Sequence, residues 1–168
     1  MTENFPAQAY MSKQSGVIFI KLLGEFRFRD SALLQKCLDA VEAELDLLGL
    51  IIDLRETHSV DSTILGVLAQ IGFAATKLEP QKPVMIAHPD DIYKILTAMS
   101  FDKIFDLVTK IAEKTTDFEK VKPSFESDHD LVLRVLQAHK TLSHLSHENA
   151  AQFREVIDLF EENLKKIS

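Results

Sequence analysis

The fold is most clearly indicated by residues 51–69, which read IIDLRETHSVDSTILGVLA. The apolar run Leu50–Leu54 contains β-branched residues and predicts a central strand that is covered on both faces. A polar loop is expected next, over Arg55–Ser59. From Ser62 onward, helical spacing of apolar residues continues until Glu79–Pro83 ends it. The apolar positions of this helix are Ile64, Leu65, Leu68, Ile71 and Ala75.

The residues before this segment predict a β-hairpin and a helix. Gln8–Ser12 and Val17–Leu22 read as two strands joined by a turn over Lys13–Gly16. An amphipathic helix is expected from Ser31, with Gly49 as its stop. Its apolar stripe contains Leu33, Leu34, Cys37, Leu38, Val41, Leu45 and Leu48.

Further strands and helices are predicted after the helix that starts at Ser62. Pro83–Ala87 reads as a second buried strand, and a helix with Pro and acidic residues in its first turn runs from Pro89 towards Met99. Phe105–Val108 fits a short edge strand, and Thr116–Val121 a short helix. A leading hairpin followed by alternating helices and strands predicts an α/β fold, with a mixed β-sheet and helices packed on it.

The C-terminal part of the chain predicts a helical hairpin. Ser127–Asp130 resembles a capping box with Asp in place of Glu or Gln, and Ser146 can cap a second helix. The apolar stripes are Leu131, Val132, Val135, Leu136, His139 and Leu142, then Ala150, Phe153, Ile157, Phe160 and Leu164. We therefore expect a domain over residues 1–122 and a helical extension over residues 123–168. The extension could form a homodimer contact or select a partner, but packing on the domain is the preferred interpretation.

Composition and charge argue against several classes of function. The net charge of −7 and pI of about 5.3 disfavour nucleic-acid binding. Cys37, the single cysteine, cannot form an internal disulfide, and it lies on an apolar stripe that predicts a core position. The first twenty residues lack the features of a secretory signal, and no apolar run is long enough to span a membrane. A cytoplasmic protein without membrane insertion is expected.

Ser62 is the residue that most directly suggests a function. It lies at or just before the predicted helix start, where unpaired N–H groups and the helix dipole favour a bound or covalent phosphate. The simpler interpretation is that Asp61 or Ser62 only caps the helix, because such caps are common.

The element Asp61-Ser62-Thr63-Ile64-Leu65-Gly66 resembles the Asp-Ser-Ser/Thr-x-x-Gly element of STAS domains, the sulfate transporter and anti-sigma factor antagonist family. In that family the element follows the central strand and holds the regulatory serine. The resemblance covers roughly residues 8–121. With its helical extension, the chain is most similar to HsbA-type anti-sigma factor antagonists of Gram-negative bacteria. The resemblance implies a STAS-like sheet with packed helices.

The resemblance also implies a partner-switching function. The unphosphorylated protein would bind an anti-sigma factor, a serine kinase would phosphorylate Ser62, and a metal-dependent PPM-type phosphatase would restore it. Phosphorylation adds about −1.5 to −2 charges to one hydroxyl, so a partner fitted to the bare serine would be repelled. The residues expected to contact the partner are His58, Ser59, Asp61, Ser62, Thr63 and Gly66.

Other functions have weaker support in the sequence. Ser62, His58 and Asp53 could suggest a hydrolase triad, but Ser62 lacks a Gly-x-Ser-x-Gly elbow, so no enzyme is predicted. His144 and His147 have ligand-like spacing, yet a polar helix end explains them better. No Gly-rich phosphate loop is present, and neither a cofactor nor a metal is expected. The main alternative is a STAS subunit of a lipid or solute transport complex.

Overall fold

The computed structural model describes residues 3–78, 80–112 and 117–167. The helices and strands of this part are β1 (Gln8–Gln14), β2 (Val17–Phe26), α1 (Ser31–Ala43), β3 (Gly49–Val60), α2 (Ser62–Leu78), β4 (Val84–Ile86), α3 (Asp91–Ala98), β5 (Asp106–Val108), β6 (Glu119–Lys120), α4 (Asp128–Ser143) and α5 (His147–Ile167). Two short 3-10 helices follow β2 and α3, at Phe28–Asp30 and Phe101–Lys103.

The strands form one mixed sheet in the order β5-β4-β3-β2-β1-β6. β2, β3, β4 and β5 are parallel neighbours, whereas β1 pairs antiparallel with both β2 and β6. Each parallel connection contains a helix and advances by one strand in the same direction, and right-handed connections therefore place these helices on one face of the sheet. The predicted α/β fold with a mixed sheet and a leading hairpin is confirmed.

The core lies between the sheet and its helices. Ile20, Leu22 and Phe26 of β2 are buried, while Lys21 and Glu25 between them remain partly exposed. This alternation has the period of two that a strand with one covered face requires. The prediction that the Leu50–Leu54 strand is covered on both faces is therefore wrong for its second face. Leu50, Ile52 and Leu54 are buried, but Ile51 and Asp53 are not.

Two predicted element boundaries are also wrong. The expected polar loop at Arg55–Ser59 belongs to β3, which continues to Val60 because it stays paired in parallel with β2 as far as Phe26. Helix α1 ends at Ala43, and Gly49 begins β3 instead of stopping the helix. Leu45 and Leu48, assigned to the helix stripe, are 80% and 65% exposed.

The prediction of a short helix over Thr116–Val121 is wrong where the structure describes it. Thr116 lies outside the described residues, and Glu119–Lys120 forms strand β6 beside β1. The predicted strands at Pro83–Ala87 and Phe105–Val108 are confirmed as β4 and the edge strand β5. Cys37 is fully buried, as expected, and burial raises the pKa of its thiol to about 12.

The predicted C-terminal helical hairpin is confirmed as α4 and α5. The Ser127 hydroxyl accepts a hydrogen bond from the Asp130 N–H (3.1 Å), and the Ser127 N–H donates back to the Asp130 carboxylate (3.4 Å), which completes the capping box. The Ser146 hydroxyl accepts from the Asn149 N–H (3.0 Å) at the start of α5. Helix α4 packs against both α2 and α5, so the hairpin lies on the helical layer. No described helix has the length and apolar character needed to span a membrane.

Candidate functional site

The start of helix α2 is capped by Asp61, not by Ser62. One Asp61 carboxylate oxygen accepts from the Ile64 N–H (3.0 Å), and the Asp61 carbonyl accepts from the Leu65 N–H (3.1 Å). The other carboxylate oxygen accepts from the Phe28 N–H (2.7 Å), which ties α2 to the segment that follows β2. Because Asp61 supplies the cap, the hydroxyl of Ser62, the first residue of α2, is not needed for capping.

The Ser62 hydroxyl is instead hydrogen-bonded to His139 of α4. Ser62 Oγ lies 2.8 Å from His139 Nε2, and His139 Nδ1 lies 2.7 Å from the carbonyl oxygen of Val135. A carbonyl can only accept, so Nδ1 carries a hydrogen. In the neutral ring Nε2 is then the acceptor, and the Ser62 O–H donates to it.

Helix α5 encloses the His139 ring from the other side. The ring centroid lies 5.5 Å from that of Phe153 and 6.4 Å from that of Phe160. His139 is only 5% exposed, whereas Ser62 is partly exposed. The serine is therefore held by a ring that has little room to move while the hairpin is packed on α2.

One turn further along α2, the backbones of α2 and α4 are in direct contact. A Cβ atom added to Gly66 would lie 2.2 Å from the carbonyl oxygen of Ala138, closer than real Cβ atoms come to such an atom. Only glycine permits this approach without a shift of α4. Next along the helix, the Gln70 side-chain amide donates to the Thr141 hydroxyl (3.3 Å). Helix α2 thus contacts α4 at three successive turns.

The N-terminal half of α4 is linked to the 3-10 helix Phe28–Asp30, which is hydrogen-bonded to Asp61. Arg134 forms an ion pair with Glu126 and donates to the Ser31 hydroxyl (3.1 Å), which donates in turn to the Phe28 carbonyl (2.6 Å). The Phe28 N–H is the group that binds Asp61. The buried Nε of Arg134 has no hydrogen-bond partner within the described part of the chain.

The structure separates the six residues predicted to contact a partner into an exposed and a covered group. His58 is exposed and stacks on Phe5, with ring centroids 4.1 Å apart. Ser59 is partly exposed and accepts a hydrogen bond from Arg27 (2.9 Å). Asp61 and Ser62 are also partly exposed, but Thr63 is buried and Gly66 lies under α4. A partner could reach the first four in this arrangement, but not Gly66.

The hydrolase triad does not form. Ser62 bonds to His139, His58 stacks on Phe5, and Asp53 pairs with Arg55 (2.8 Å), so each candidate has a different neighbour. Burial alone would raise the pKa of Asp53, but hydrogen bonds from Arg55 hold that pKa below its usual value. The N–H groups of Ile64 and Leu65 already donate to Asp61 and are not free to stabilise an oxyanion.

His139 is the site residue that sequence reasoning did not assign. It was placed on the apolar stripe of α4, and a histidine among Val135, Leu136 and Leu142 is the signal that could have indicated a polar partner. Nothing local identifies Ser62 as that partner, because 77 positions separate the two residues. Among the described residues, no three His, Cys, Asp or Glu side chains are grouped to hold a metal ion.

Comparison with known families identifies the domain that carries this site. The STAS domain model matches residues 8–117, more than half of the chain and the whole of β1–β5. The chain belongs to the STAS domain family. Ser62 and its Asp61 cap lie within the matched STAS region, whereas His139 and the whole helical hairpin lie outside it. The site therefore combines residues of the matched STAS region with a residue of the helical hairpin outside it.

Two solved structures are similar to this chain. An anti-sigma factor antagonist from Mycobacterium paratuberculosis superimposes with a TM-score of 0.54 at 21% identity, over 63% of this chain and 88% of that one. The anti-sigma factor antagonist SpoIIAA in its unphosphorylated form gives a TM-score of 0.47 at 10% identity, over 64% of this chain and 89% of that one. The first of these shows a shared fold. Among curated proteins, none matches the sequence significantly.

Proposed function

We propose that the chain is an anti-sigma factor antagonist that binds its anti-sigma factor when Ser62 is unmodified and loses that partner when Ser62 is phosphorylated. The observation that carries the proposal is the position of Ser62. It is the first residue of α2 in the Asp-Ser-Thr-x-x-Gly element of a STAS domain, and Asp61 caps the helix in its place. A solved structure that shares this fold is described as an anti-sigma factor antagonist.

The proposed switch is a phosphoryl transfer to the Ser62 hydroxyl by a serine kinase. Ser62 Oγ attacks the γ-phosphorus of a nucleoside triphosphate, the bond from that phosphorus to its bridging oxygen breaks, and the nucleoside diphosphate leaves. The hydroxyl proton passes to a base of the kinase. A metal-dependent PPM-type phosphatase reverses the modification: water attacks the phosphorus, the bond from phosphorus to Ser62 Oγ breaks, inorganic phosphate leaves and Oγ takes up a proton.

Charge explains how one modification can dissociate a partner. Phosphorylation places about −1.5 to −2 charges beside the carboxylate of Asp61, which is bound to two backbone N–H groups. A partner surface that covers a neutral hydroxyl would have to desolvate this dianion or meet it with like charge, and either is costly. No rearrangement of the STAS sheet is required. The exposed partner surface would be formed mainly by His58, Ser59, Asp61 and Ser62.

We further propose that the chain is an antagonist of the HsbA type. Its STAS domain would span residues 1–122, and its helical extension residues 123–168. Strand β6 supports a boundary near residue 122, since it pairs with β1 and is followed by the buried Val121. The exposed segment that begins at Lys122 then leads to α4.

The proposal is tested by binding measurements with an anti-sigma factor encoded in the same genome. Three full-length proteins are compared: the unmodified chain, a chain with genetically encoded phosphoserine at position 62, and Ser62→Ala. We expect Ser62→Ala to bind within about twofold of the unmodified chain and phosphoserine 62 to weaken binding by about 100-fold, the worth of a like-charge contact of several kcal/mol. Phosphoserine at the exposed Ser124 is the matched charge control.

Equal affinity of the unmodified and phosphoserine-62 proteins would refute the switch. The chain purified from its native host, with phosphatases inhibited, should carry phosphate on Ser62 by peptide mass spectrometry. An unmodified Ser62 together with copurifying transport ATPase subunits would instead favour a transport-complex subunit.

A further inference from the structure

The hairpin covers the side of α2 towards which the Ser62 hydroxyl points. Ser62, Gly66 and Gln70 lie four residues apart, on one side of α2, and each of them contacts α4. Two of these contacts are hydrogen bonds, and the third is a backbone contact that leaves no space for even a methyl group. A kinase that engages the Ser62 hydroxyl on this side of α2 therefore competes with α4.

The hydrogen bond to His139 also conflicts with chemistry at Ser62. With a neutral His139 ring the Ser62 O–H donates to Nε2, so its proton points into the hairpin. In phosphoryl transfer the same proton must pass to a base of the kinase, and the phosphorus takes its place on Oγ. This exchange requires the Ser62–His139 hydrogen bond to break.

A phosphoryl group on Ser62 does not fit the closed arrangement without a cost. If it keeps the direction of the present O–H, it displaces the His139 ring, which Phe153 and Phe160 enclose. If it turns away, His139 Nε2 stays buried without its donor, and an unpaired buried polar atom is costly. In either position the dianion lies near the Asp61 carboxylate.

Two further attachments of the hairpin lie at the turn between α4 and α5, in addition to the Arg134–Ser31 hydrogen bond. The Asn149 side-chain amide donates to the Met99 carbonyl (3.0 Å), and the Lys103 ammonium donates to the Leu145 carbonyl (2.7 Å). Both contacts lie at the turn between α4 and α5, whereas the exposed segment from Lys122 to Phe125 leads into the start of α4. His139, Ala138 and Thr141 lie within about two turns of the C-terminal end of α4, so opening at Ser62 requires these two contacts to loosen as well.

We propose that the C-terminal hairpin is an internal cover of the Ser62 side of α2, and that the closed hairpin and a phosphoryl group on Ser62 exclude each other. The inference rests on the proposed function, since it concerns how the proposed phosphorylation site is reached. The kinase binds the open form, and phosphorylation keeps the hairpin open. Coupling is reciprocal, so whatever opens the hairpin also makes Ser62 easier to modify.

The test is hydrogen–deuterium exchange of the full-length chain with phosphoserine encoded at position 62. We expect the amides of α4 to exchange about 5- to 150-fold faster than in the unmodified chain, the range typical of coupling between two sites. Amides of β2 and β3 should be unchanged. Phosphoserine at Ser124 supplies the same charge without the contact and should have no effect. Unchanged or slower exchange of α4 would overturn the proposal, slower exchange indicating that the closed hairpin binds the phosphate.

A second measurement reads the separation of α2 and α4 directly. Gln70→Cys and Thr141→Cys replace two side chains that are in contact, and the buried Cys37 is protected from thiol reagents. A short bismaleimide should join the introduced cysteines readily in the unmodified chain and at least about fivefold more slowly with phosphoserine 62. Equal cross-linking rates with and without phosphoserine 62 would contradict the proposal that the hairpin covers this side of α2.

Gly66→Ala should open the hairpin without any charge, because the added methyl meets the Ala138 backbone. Accelerated exchange of α4 in this variant supports the cover, and unchanged exchange contradicts it. None of these experiments needs a kinase or an anti-sigma factor. The two proposals can therefore fail independently. The hairpin can cover Ser62 even if no kinase modifies it, and phosphorylation of Ser62 can control partner binding even if the hairpin does not move.

Discussion

The two sides of helix α2 are packed in different ways. The residues opposite the hairpin, at helical spacing, are fully buried and apolar: Ile64, Leu68, Ile71 and Ala75. The side that meets α4 carries Ser62, Gly66 and Gln70, which offer two hydrogen bonds and a close backbone approach. Apolar burial contributes roughly 25 cal/mol per Å² whatever its orientation, whereas a hydrogen bond contributes only about 1 kcal/mol and depends on geometry.

This difference suggests that the two sides of α2 have different roles. The sheet side fixes α2 in the STAS core. The hairpin side adds polar contacts to its apolar packing, and these polar contacts lose less when they are exchanged for contacts with water. Regulation is therefore expected on the hairpin side, and global stability on the sheet side.

The largest expected effect comes from removing apolar volume on the sheet side. Leu68→Ala should lower the free energy of unfolding of the whole chain by about 2–5 kcal/mol, through lost burial and the cavity that remains. Urea unfolding of the full-length protein measures this change. Leu136→Ala in α4 is the matched substitution, at a position that is also buried. It should accelerate hydrogen exchange in α4 and α5 while β2 and β3 keep their protection. If β2 and β3 lost protection equally in both variants, the two sides of α2 would not be separable.

The fold was largely predictable because most of its signals are local. The period of α2, the apolar run of β3 and the Ser127 and Ser146 caps all act within a few residues. The errors arose where distant contacts decide. Strand β3 continues through polar residues because β2 pairs with it, and α1 stops at Ala43 although its apolar spacing continues.

The same distinction holds for the site. Ser62 was found because a short motif marks it, and Asp61 because caps follow simple rules. His139 and Ala138 lie far along the chain, and their contacts with α2 depend on how the hairpin docks, which no local pattern encodes. A glycine inside the apolar pattern of α2 was nevertheless a sign of close packing.

A smaller effect is expected from the Ser62–His139 hydrogen bond itself. A double-mutant cycle of Ser62→Ala and His139→Phe, read as the opening free energy of α4 by hydrogen exchange, should give a coupling of about 0.5–1.5 kcal/mol. Phenylalanine keeps an aromatic ring against Phe153 and Phe160. The control pair, Gln70→Ala with Thr141→Val, should couple less because its hydrogen bond is longer, at 3.3 Å. Additive effects of Ser62→Ala and His139→Phe would mean that this bond does not hold the hairpin.

The smallest expected effect is the pH-dependent contribution of the Asp53–Arg55 ion pair on the sheet to the free energy of unfolding. Hydrogen bonds from Arg55 outweigh the effect of burial and lower the pKa of Asp53 from its ordinary 3.8. A carboxyl group with a lowered pKa stabilises the folded state above its unfolded pKa, and this contribution is lost as the pH falls through the folded pKa. Asp53→Asn should therefore cost up to about 1 kcal/mol near neutral pH, since Arg55 is partly exposed, and progressively less below about pH 4.

Urea unfolding of wild type and Asp53→Asn across this pH range measures the difference. Glu56→Gln, at a more exposed ion pair with Lys21, is the control and should change stability less. Because Asp53 lies on the sheet, its substitution should leave the exchange of α4 amides unchanged at neutral pH. If Asp53→Asn also opened α4, the sheet and hairpin sides of α2 would be coupled through the core, and the hairpin could not move as an independent cover.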